Sequence, residues 1–447
     1  MAEKFMKAER RHRAMNAGFV RQVLLWPLAL LLAWGMVYYN LGVLLPLRKN
    51  VLHVDRFAGG AWSDLYHEWF GAQALLRHGR NPYSAEITQE IERGFYGADR
   101  YNAKQFGYPQ AFVYPVYVVF LFAPFLHLSF ETVRLIFKVV FFLFTVASVP
   151  LWIRTLKLHL GTSTTLLILL ITLSSYSVID GLGLEQLTML VAGLIALSLA
   201  AMDRGYLGLG SMLLAFATVK PHLVIPLAGF LFFWTLGAWR ERKRLAMAFV
   251  GTMAVILIAS ELVLPGWFWL WLQATQAYAG YVKPSLLQGM LGRTGGTIAG
   301  ILSVLACLVM FWRLRKAPGG SAAFVLSVVA ALVLTVILVP AAGGAKYNQV
   351  LLIPGAILLF LPGKEFVPHN RTARLTRLLA VTVLTGEWIL AFLVSFAALV
   401  LRHTFHREDT FFVAGPEFLM YLFPLTLGLF MLSIAPQVLA ETRAKSV

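Results

Sequence analysis

This sequence is short of charge. Only 13% of its 447 residues are Asp, Glu, Lys or Arg, about half the share usual in soluble domains. With 59% hydrophobic residues and a mean hydropathy of +0.73, the chain reads as polytopic and embedded in a membrane. A single cysteine, Cys307, sits inside an apolar run; this excludes a disulfide framework and a cysteine-based metal site. There is no Walker loop, no dinucleotide glycine pattern and no serine-nucleophile elbow, so soluble nucleotide donors are not indicated. No repeat of fixed period and no low-complexity tract appears either. Acidic residues are scarcer than basic ones, 21 against 38, for a net charge of +17. In a soluble protein that excess would suggest nucleic acid. Here the basic residues cluster between apolar segments, the pattern of cytoplasmic loops facing anionic lipid, and no nucleic-acid partner is expected.

What is abundant is apolar sequence in long runs. The first, Val23 to Pro46, is too long for a signal peptide and lacks a small-residue cleavage site after it, so it is expected to be a retained anchor. Further spans are expected at roughly 111–128, 134–152, 162–179, 186–202, 207–238, 245–264, 297–313, 320–339, 349–362, 378–400 and 417–435. The expectation is an all-α polytopic membrane protein of about twelve transmembrane helices, with both termini cytoplasmic. Arg240–Arg244, Arg313–Lys316 and Arg371–Arg377 then lie inside, as the charge rule demands, whereas Arg154 and Lys157 fall outside and count against it. The 207–238 run contains Lys220-Pro221 and Pro226 and reads as one kinked span or two short ones. The chain is read as one membrane domain, 1–447. Residues 1–244 would form a catalytic-type helical module including an external loop, 48–107, and residues 245–447 would supply helices shaping a lipid-donor and acceptor cavity.

That loop carries the most informative stretch, Trp62 to Tyr83. Trp62, Leu65, Trp69, Ala72 and Leu76 recur at helical spacing, while Asp64, His67, Glu68 and Gly71 fall on another side. Gly79 and Asn81-Pro82 punctuate its end. The outline is an interfacial amphipathic helix holding acidic groups at a membrane surface, where a carboxylate can act as general base toward a lipid-borne substrate. Asp64 is the first choice for that base, Glu68 the fallback and Asp55 a weaker alternative, with His67 hydrogen-bonding the acceptor or orienting Asp64. A second helix is expected around Ala85 to Arg93, with Ser84 as N-cap, Glu86 in the first turn and Gly94 at the end.

Lys220 is costly in an apolar run unless it faces a cavity, where Lys220 and His222 could hold a lipid phosphate; the alternative is a loop between two short spans. Arg293, Lys346, Lys104 and Arg80 are further phosphate candidates. Asp180 and Glu185-Gln186 flank a glycine-containing break, and polar groups at such breaks line cavities. The aromatic loop after Pro265 reads as an interfacial belt. His403, His406, Glu408 and Asp409 have metal-compatible spacing but read better as an exposed charged loop. No metal or other cofactor is expected.

Several of these pieces, taken in order, resemble glycosyltransferase family 87, polyprenol-phosphate-dependent enzymes of the C-type integral membrane superfamily whose bacterial members are α-mannosyltransferase-like. They are Asp64-Leu65-Tyr66, the run Leu75 to Tyr83, Phe112-Val113-Tyr114-Pro115 with Pro124 ten residues after the tyrosine, Glu185-Gln186-Leu187-Thr188, and Gly210 through Lys220-Pro221. The chain departs from the family where Val116 replaces a proline, where Glu185 replaces a glycine, where Thr188 replaces an asparagine, and near Lys346 to Asn348, where the family's histidine has no counterpart. The resemblance implies transfer of a sugar, mannose by default, from a polyprenyl phosphate to a lipid or glycan hydroxyl. It places the chemistry on the external face of a bacterial cytoplasmic membrane. It carries the role of base to Asp64 only. The substrate-binding residues expected around it are Tyr66, His67, Glu68, Tyr83, Tyr114, Glu185, Gln186, Lys220, His222, Arg293 and Lys346. The rival readings are a transporter or flippase of a lipid-linked sugar and a glycan polymerase or ligase.

Overall fold

The computed structural model describes residues 24–47, 61–97, 110–281, 284–339, 345–400 and 413–444. Asp55, Lys104 and the His403–Asp409 cluster lie outside the described residues. Within them the chain is helical, with no β-strand. This is the backbone solution for long apolar sequence, because a helix satisfies its own amides without water. In chain order the helices are α1 (Leu24–Leu47), α2 (Leu65–Ala72, extended by a π turn Gln73–Arg77), α3 (Ala85–Tyr96), α4 (Val116–Phe125), α5 (Phe130–Thr155), α6 (Thr162–Leu173) and α7 (Tyr176–Gly183). There follow α8 (Thr188–Asp203), α9 (Leu207–Ala217), α10 (Pro221–Gly237), α11 (Trp239–Val263), α12 (Trp267–Ala279), α13 (Leu286–Leu314), α14 (Ala322–Leu338), α15 (Lys346–Phe360), α16 (Arg371–Val400) and α17 (Gly415–Ala444).

Six of these, α1, α5, α11, α13, α16 and α17, are long and apolar enough to cross a membrane, and α6 with α7, bent by 56°, would make a seventh. Composition alone does not separate the helices that face lipid from those inside. α8 is apolar on every side and buried on nearly every side. α11 has only 6% of its most apolar window buried, and presents Met247, Val250, Val255, Ile258 and Leu262 outward. A bare apolar band of that kind marks a surface that meets lipid or another apolar surface rather than water.

Contacts between helix ends sort into two sets. At one end Tyr39 donates to the Val413 carbonyl, the Asp64 N–H to Leu184, Tyr117 to Thr218 and Trp271 to Val113. At the other Trp26 meets Ser163, Lys157 pairs with Asp203, Arg242 reaches the carbonyls of Trp234, Arg315 and Ala317, and Arg377 reaches that of Leu359. α8 runs from the first set at Thr188 to the second at Asp203, α9 returns, and α10 goes back again.

This arrangement corrects the sequence reading in several places. The 111–128 run does not cross. Tyr117 on one flank bonds Thr218, while Leu126 on the other accepts from Gln73 and Phe130 packs on Tyr66, all at the same end. With that passage removed, Arg154 and Lys157 join the other basic clusters, and the conflict with the charge rule disappears. The 207–238 run is two helices broken at Lys220, which has non-helical φ −119° and ψ 81°. The aromatic stretch after Pro265 is the helix α12 and not a loop. α3 has Ser84 as its N-cap, accepting from Ile87 N–H, but runs past Gly94 to end at Gly97, where φ is 93°. Gly94 has a different job: a Cβ there would sit 1.9 Å from the Tyr66 hydroxyl oxygen. Only a bare backbone lets α2 and α3 approach.

Candidate functional site

The segment before α2 is laid down by hydrogen bonds rather than by helical periodicity. Ala61 and Trp62 donate N–H groups to Gly94 and Phe95 at 3.0 and 3.4 Å. Trp62 takes φ 45° and sets its ring against Phe95 and Tyr96. The expected helix therefore starts at Leu65, with Asp64 at the N-cap position. Asp64 makes no capping bond to its own helix; Ser63 Oγ accepts from Leu65 N–H instead, at 3.2 Å. The helix ends as expected at Gly79 (φ 61°), where Gly79 and Arg80 donate to the carbonyls of Leu75 and Ala74. Its inner side is not the greasy one alone. Leu65, Glu68, Gly71 and Ala72 are all buried, and a Cβ on Gly71 would come within 2.3 Å of the Phe112 ring.

Freed from capping, the Asp64 carboxylate accepts from the Gln186 side-chain amide. Gln186 in turn accepts at Oε1 from Lys220 Nζ, 2.6 Å away. Lys220 also donates to Thr188 Oγ1 at 2.9 Å, and the Thr188 hydroxyl donates to Asn348 Oδ1 at 3.0 Å. The Lys220 ammonium lies 5.6 Å from the Tyr114 ring centroid and 5.1 Å from that of Tyr347, close enough for cation–π attraction. Four separated parts of the chain thus converge on one carboxylate. Lys220 is at the α9–α10 break, where the open backbone turns its side chain inward, and two of its three donors are already committed to protein.

Burial pushes the Asp64 carboxyl up to about 6, with the Lys220 charge and the Gln186 hydrogen bond opposing. Glu68, one turn along, is buried more deeply, with Oε2 lacking a hydrogen-bond partner. Burial pushes its carboxyl up further still and favours the neutral form, with Lys220 and Tyr114 opposing the shift. Two carboxyls held apart in this way separate into an ionised one and a protonated one near neutral pH. Of the two, Asp64 is held less high and ionises the more readily.

The other expected residues divide between this cluster and elsewhere. His67 supports the Asp64 backbone: Nδ1 is 3.1 Å from the Asp64 carbonyl and Nε2 is 2.6 Å from Gln110 Oε1. Burial holds the ring well below its usual range, at about 4, with the Gln110 hydrogen bond opposing, so it is neutral at pH 7. Tyr114 faces Lys220, and Tyr83 donates to the Tyr114 carbonyl at 2.7 Å. Tyr66 packs against Trp69, Phe70 and Phe130. Lys220 and His222 differ in their surroundings: Lys220 is buried at the α9–α10 break, while His222, in the first turn of α10, is exposed. Arg293 is exposed, one residue beyond the Gly292 kink in α13. Arg80 is engaged by Glu86 and Glu90. Lys346 is buried and paired with Glu417 at 2.5 Å, with the Tyr176 hydroxyl 3.3 Å away. Glu185, expected to bind substrate, instead has a fully buried carboxylate paired with Arg134 and Lys138 at 3.2 and 2.7 Å. Its φ is 54°, a conformation costing a non-glycine residue about 1 kcal/mol; a glycine would adopt it freely.

Sequence reasoning passed over Arg134, Lys138 and Gln110, and gave Asn348 no role. Arg134 and Lys138 did carry a signal, two cations four apart in an apolar helix. Gln110 and Asn348 carried none. Among the described residues no group of three or more His, Cys, Asp or Glu side chains is placed to hold a metal ion.

Compared with known proteins, the chain matches no curated protein and no solved structure. One family model does match, over residues 112–340; it takes in Tyr114, Gln186 and Lys220 and leaves Asp64 and Glu68 outside. That match spans more than half of the sequence and joins the apolar helices and the buried polar cluster in one conclusion: the chain belongs to glycosyltransferase family 87.

Proposed function

We propose that this membrane glycosyltransferase moves a sugar from a polyprenyl phosphate to a hydroxyl of a lipid or glycan acceptor, with Asp64 as general base. The observation carrying the proposal is the Asp64 carboxylate itself, tied to Gln186 and Lys220, raised to about 6 and set at the end of the molecule away from the basic clusters. In the step envisaged, Asp64 takes the acceptor O–H proton as that oxygen bonds the anomeric carbon. The bond from that carbon to the phosphate oxygen breaks, and the phosphate leaves with the electron pair. Displacement from the opposite face inverts the centre, through oxocarbenium-like charge at the sugar. Gln186 and Lys220 orient the base, and Glu68 as a neutral acid hydrogen-bonds a substrate hydroxyl. Arg293, exposed beside the α13 kink, is the cation proposed to meet the departing phosphate. The reading invokes no metal.

Counting each end-to-end passage, including α8, α9, α10, α14 and α15, gives the twelve crossings proposed here, within a C-type superfamily architecture. The basic end is then cytoplasmic and the Asp64 end external, in a bacterial cytoplasmic membrane. Mannose is the default sugar. The deciding experiment incubates purified protein with a panel of polyprenyl-phosphate sugars and glycan acceptors. Product formed by the wild type and lost in Asp64→Asn supports the reading; turnover by Asp64→Asn removes the base assignment. Movement of lipid-linked sugar across liposomes without any product would replace the enzyme by a carrier.

A further inference from the structure

We propose that Glu185 is a positioning residue: its ion pairs to Arg134 and Lys138 on α5 hold a left-handed backbone turn that presents Leu184 and Gln186 to Asp64. The argument begins with the two flanking residues. Leu184 accepts the Asp64 N–H at 3.1 Å through its carbonyl, and Gln186 donates its side-chain amide to the Asp64 carboxylate. Both ends of Asp64 are thus held by neighbours of one residue. That residue, Glu185, has φ 54°, so the chain reverses sharply between the two groups that Asp64 needs. The Gln186 N–H closes the turn on the Gly181 carbonyl at 2.8 Å.

A side chain at such a φ strains the backbone toward ordinary values, and something must hold it. Glu185 is fully buried, and both cations reach the same oxygen, Oε1, at 3.2 Å from Arg134 and 2.7 Å from Lys138. The Glu185 oxygens have no aligned hydrogen bond, so charge does the holding. Arg134 and Lys138 lie one turn apart on α5, which places both on the side facing the turn. Both cations remain partly exposed.

The proposal makes the side chain and the backbone separable. Glu185→Gly and Glu185→Ala remove the same charge, but only glycine keeps the turn without strain. Glu185→Gly is expected to lose no more than about threefold in turnover, and Glu185→Ala tenfold or more. Arg134→Ala/Lys138→Ala should also lose tenfold or more, and adding Glu185→Gly should restore most of it, because the turn then needs no clamp. Turnover rests on the function proposed above, so a second readout avoids it: labelling of Asp64 by a hydrophobic carbodiimide, which requires a protonated carboxyl, followed across pH by mass spectrometry of the purified full-length protein. The wild-type midpoint is expected near 6. Glu185→Gly should stay close to it, and Glu185→Ala should rise by about one unit as the Gln186 bond is lost. Equal behaviour of the alanine and glycine variants in the labelling assay would overturn the clamp. Separate labelling midpoints with no turnover on any polyprenyl-phosphate sugar would uphold the clamp and remove the glycosyl-transfer reading instead.

Discussion

The two ends of the bundle differ in how much charge they bury. At one end Glu68, Glu185, Lys220 and Lys346 are buried, and each of the last three is tied to named partners from a distant part of the chain. At the other, Arg154, Lys157, Arg240, Lys243 and Arg244 are exposed. Arg242 is the exception there: it is buried, stacks 3.9 Å from the Trp234 ring and satisfies carbonyls at the ends of α10 and α13. Charges left in water set orientation and lipid contact. Charges withdrawn from water must be partnered in a fixed geometry, and a fixed geometry is what catalysis needs.

If that contrast is right, substitutions should rank by burial and partnership rather than by charge. The largest effect is expected at Asp64, where Asp64→Asn should cut turnover by about 10³-fold, in the range of a general base; wild-type activity should fall as pH drops below about 6. The same change should raise thermal stability near neutral pH. Folding lifts the Asp64 carboxyl from 3.8 to about 6, so its contribution to folding is fully present below about 4 and is lost as pH rises through 6. Asparagine never ionises, so the variant's advantage in melting temperature should appear above pH 6 and vanish near pH 4. A variant that melts lower at every pH would break this part of the comparison.

Next comes Lys220→Met, expected to lower turnover by about 10²-fold and to move the acid limb of the pH profile upward, since it strips Asp64 of its opposing charge. Lys220→Arg should not rescue it, because the site between Tyr114 and Tyr347 is enclosed and already supplies two acceptors to a compact ammonium. Smaller again is Arg242→Ala, expected to lower stability by about 2–3 kcal/mol through unmet buried carbonyls while turnover per folded molecule stays within twofold; melting curves and rates measured together check it. Least of all is Arg244→Gln, exposed two residues away, which should stay within about 0.5 kcal/mol. An Arg244 effect equal to that of Arg242 would end the distinction drawn here.

Periodicity showed the helices of this protein well and their ends poorly. The apolar runs all became helices, but α4 stayed at one end because Gln73 and Phe130 anchor its far flank beside α2, which no property of residues 111–128 reveals. Gly79 stopped its helix as read, while Gly94 did not, because the Tyr66 hydroxyl needed its empty space. Asp64, Gln186 and Lys220 were all singled out from sequence as acidic or polar groups at breaks and boundaries. That Glu185 serves Arg134 and Lys138, and that Lys346 serves Glu417, depended on helices far apart in the chain.

Composition by itself determined that the chain is helical and belongs in a membrane, since apolar residues in runs this long leave backbone amides no partner but each other. It also determined that a few ionisable groups had to be withdrawn from lipid. Which of them share a site was decided only by tertiary structure. A break at Lys220, a left-handed turn at Glu185 and a hydrogen-bonded lead-in to α2 bring residues as far as 122 positions apart within bonding distance of one another. Pairing of that kind is a property of the packed helices, because each partner is specified by geometry that its own neighbours in sequence do not contain.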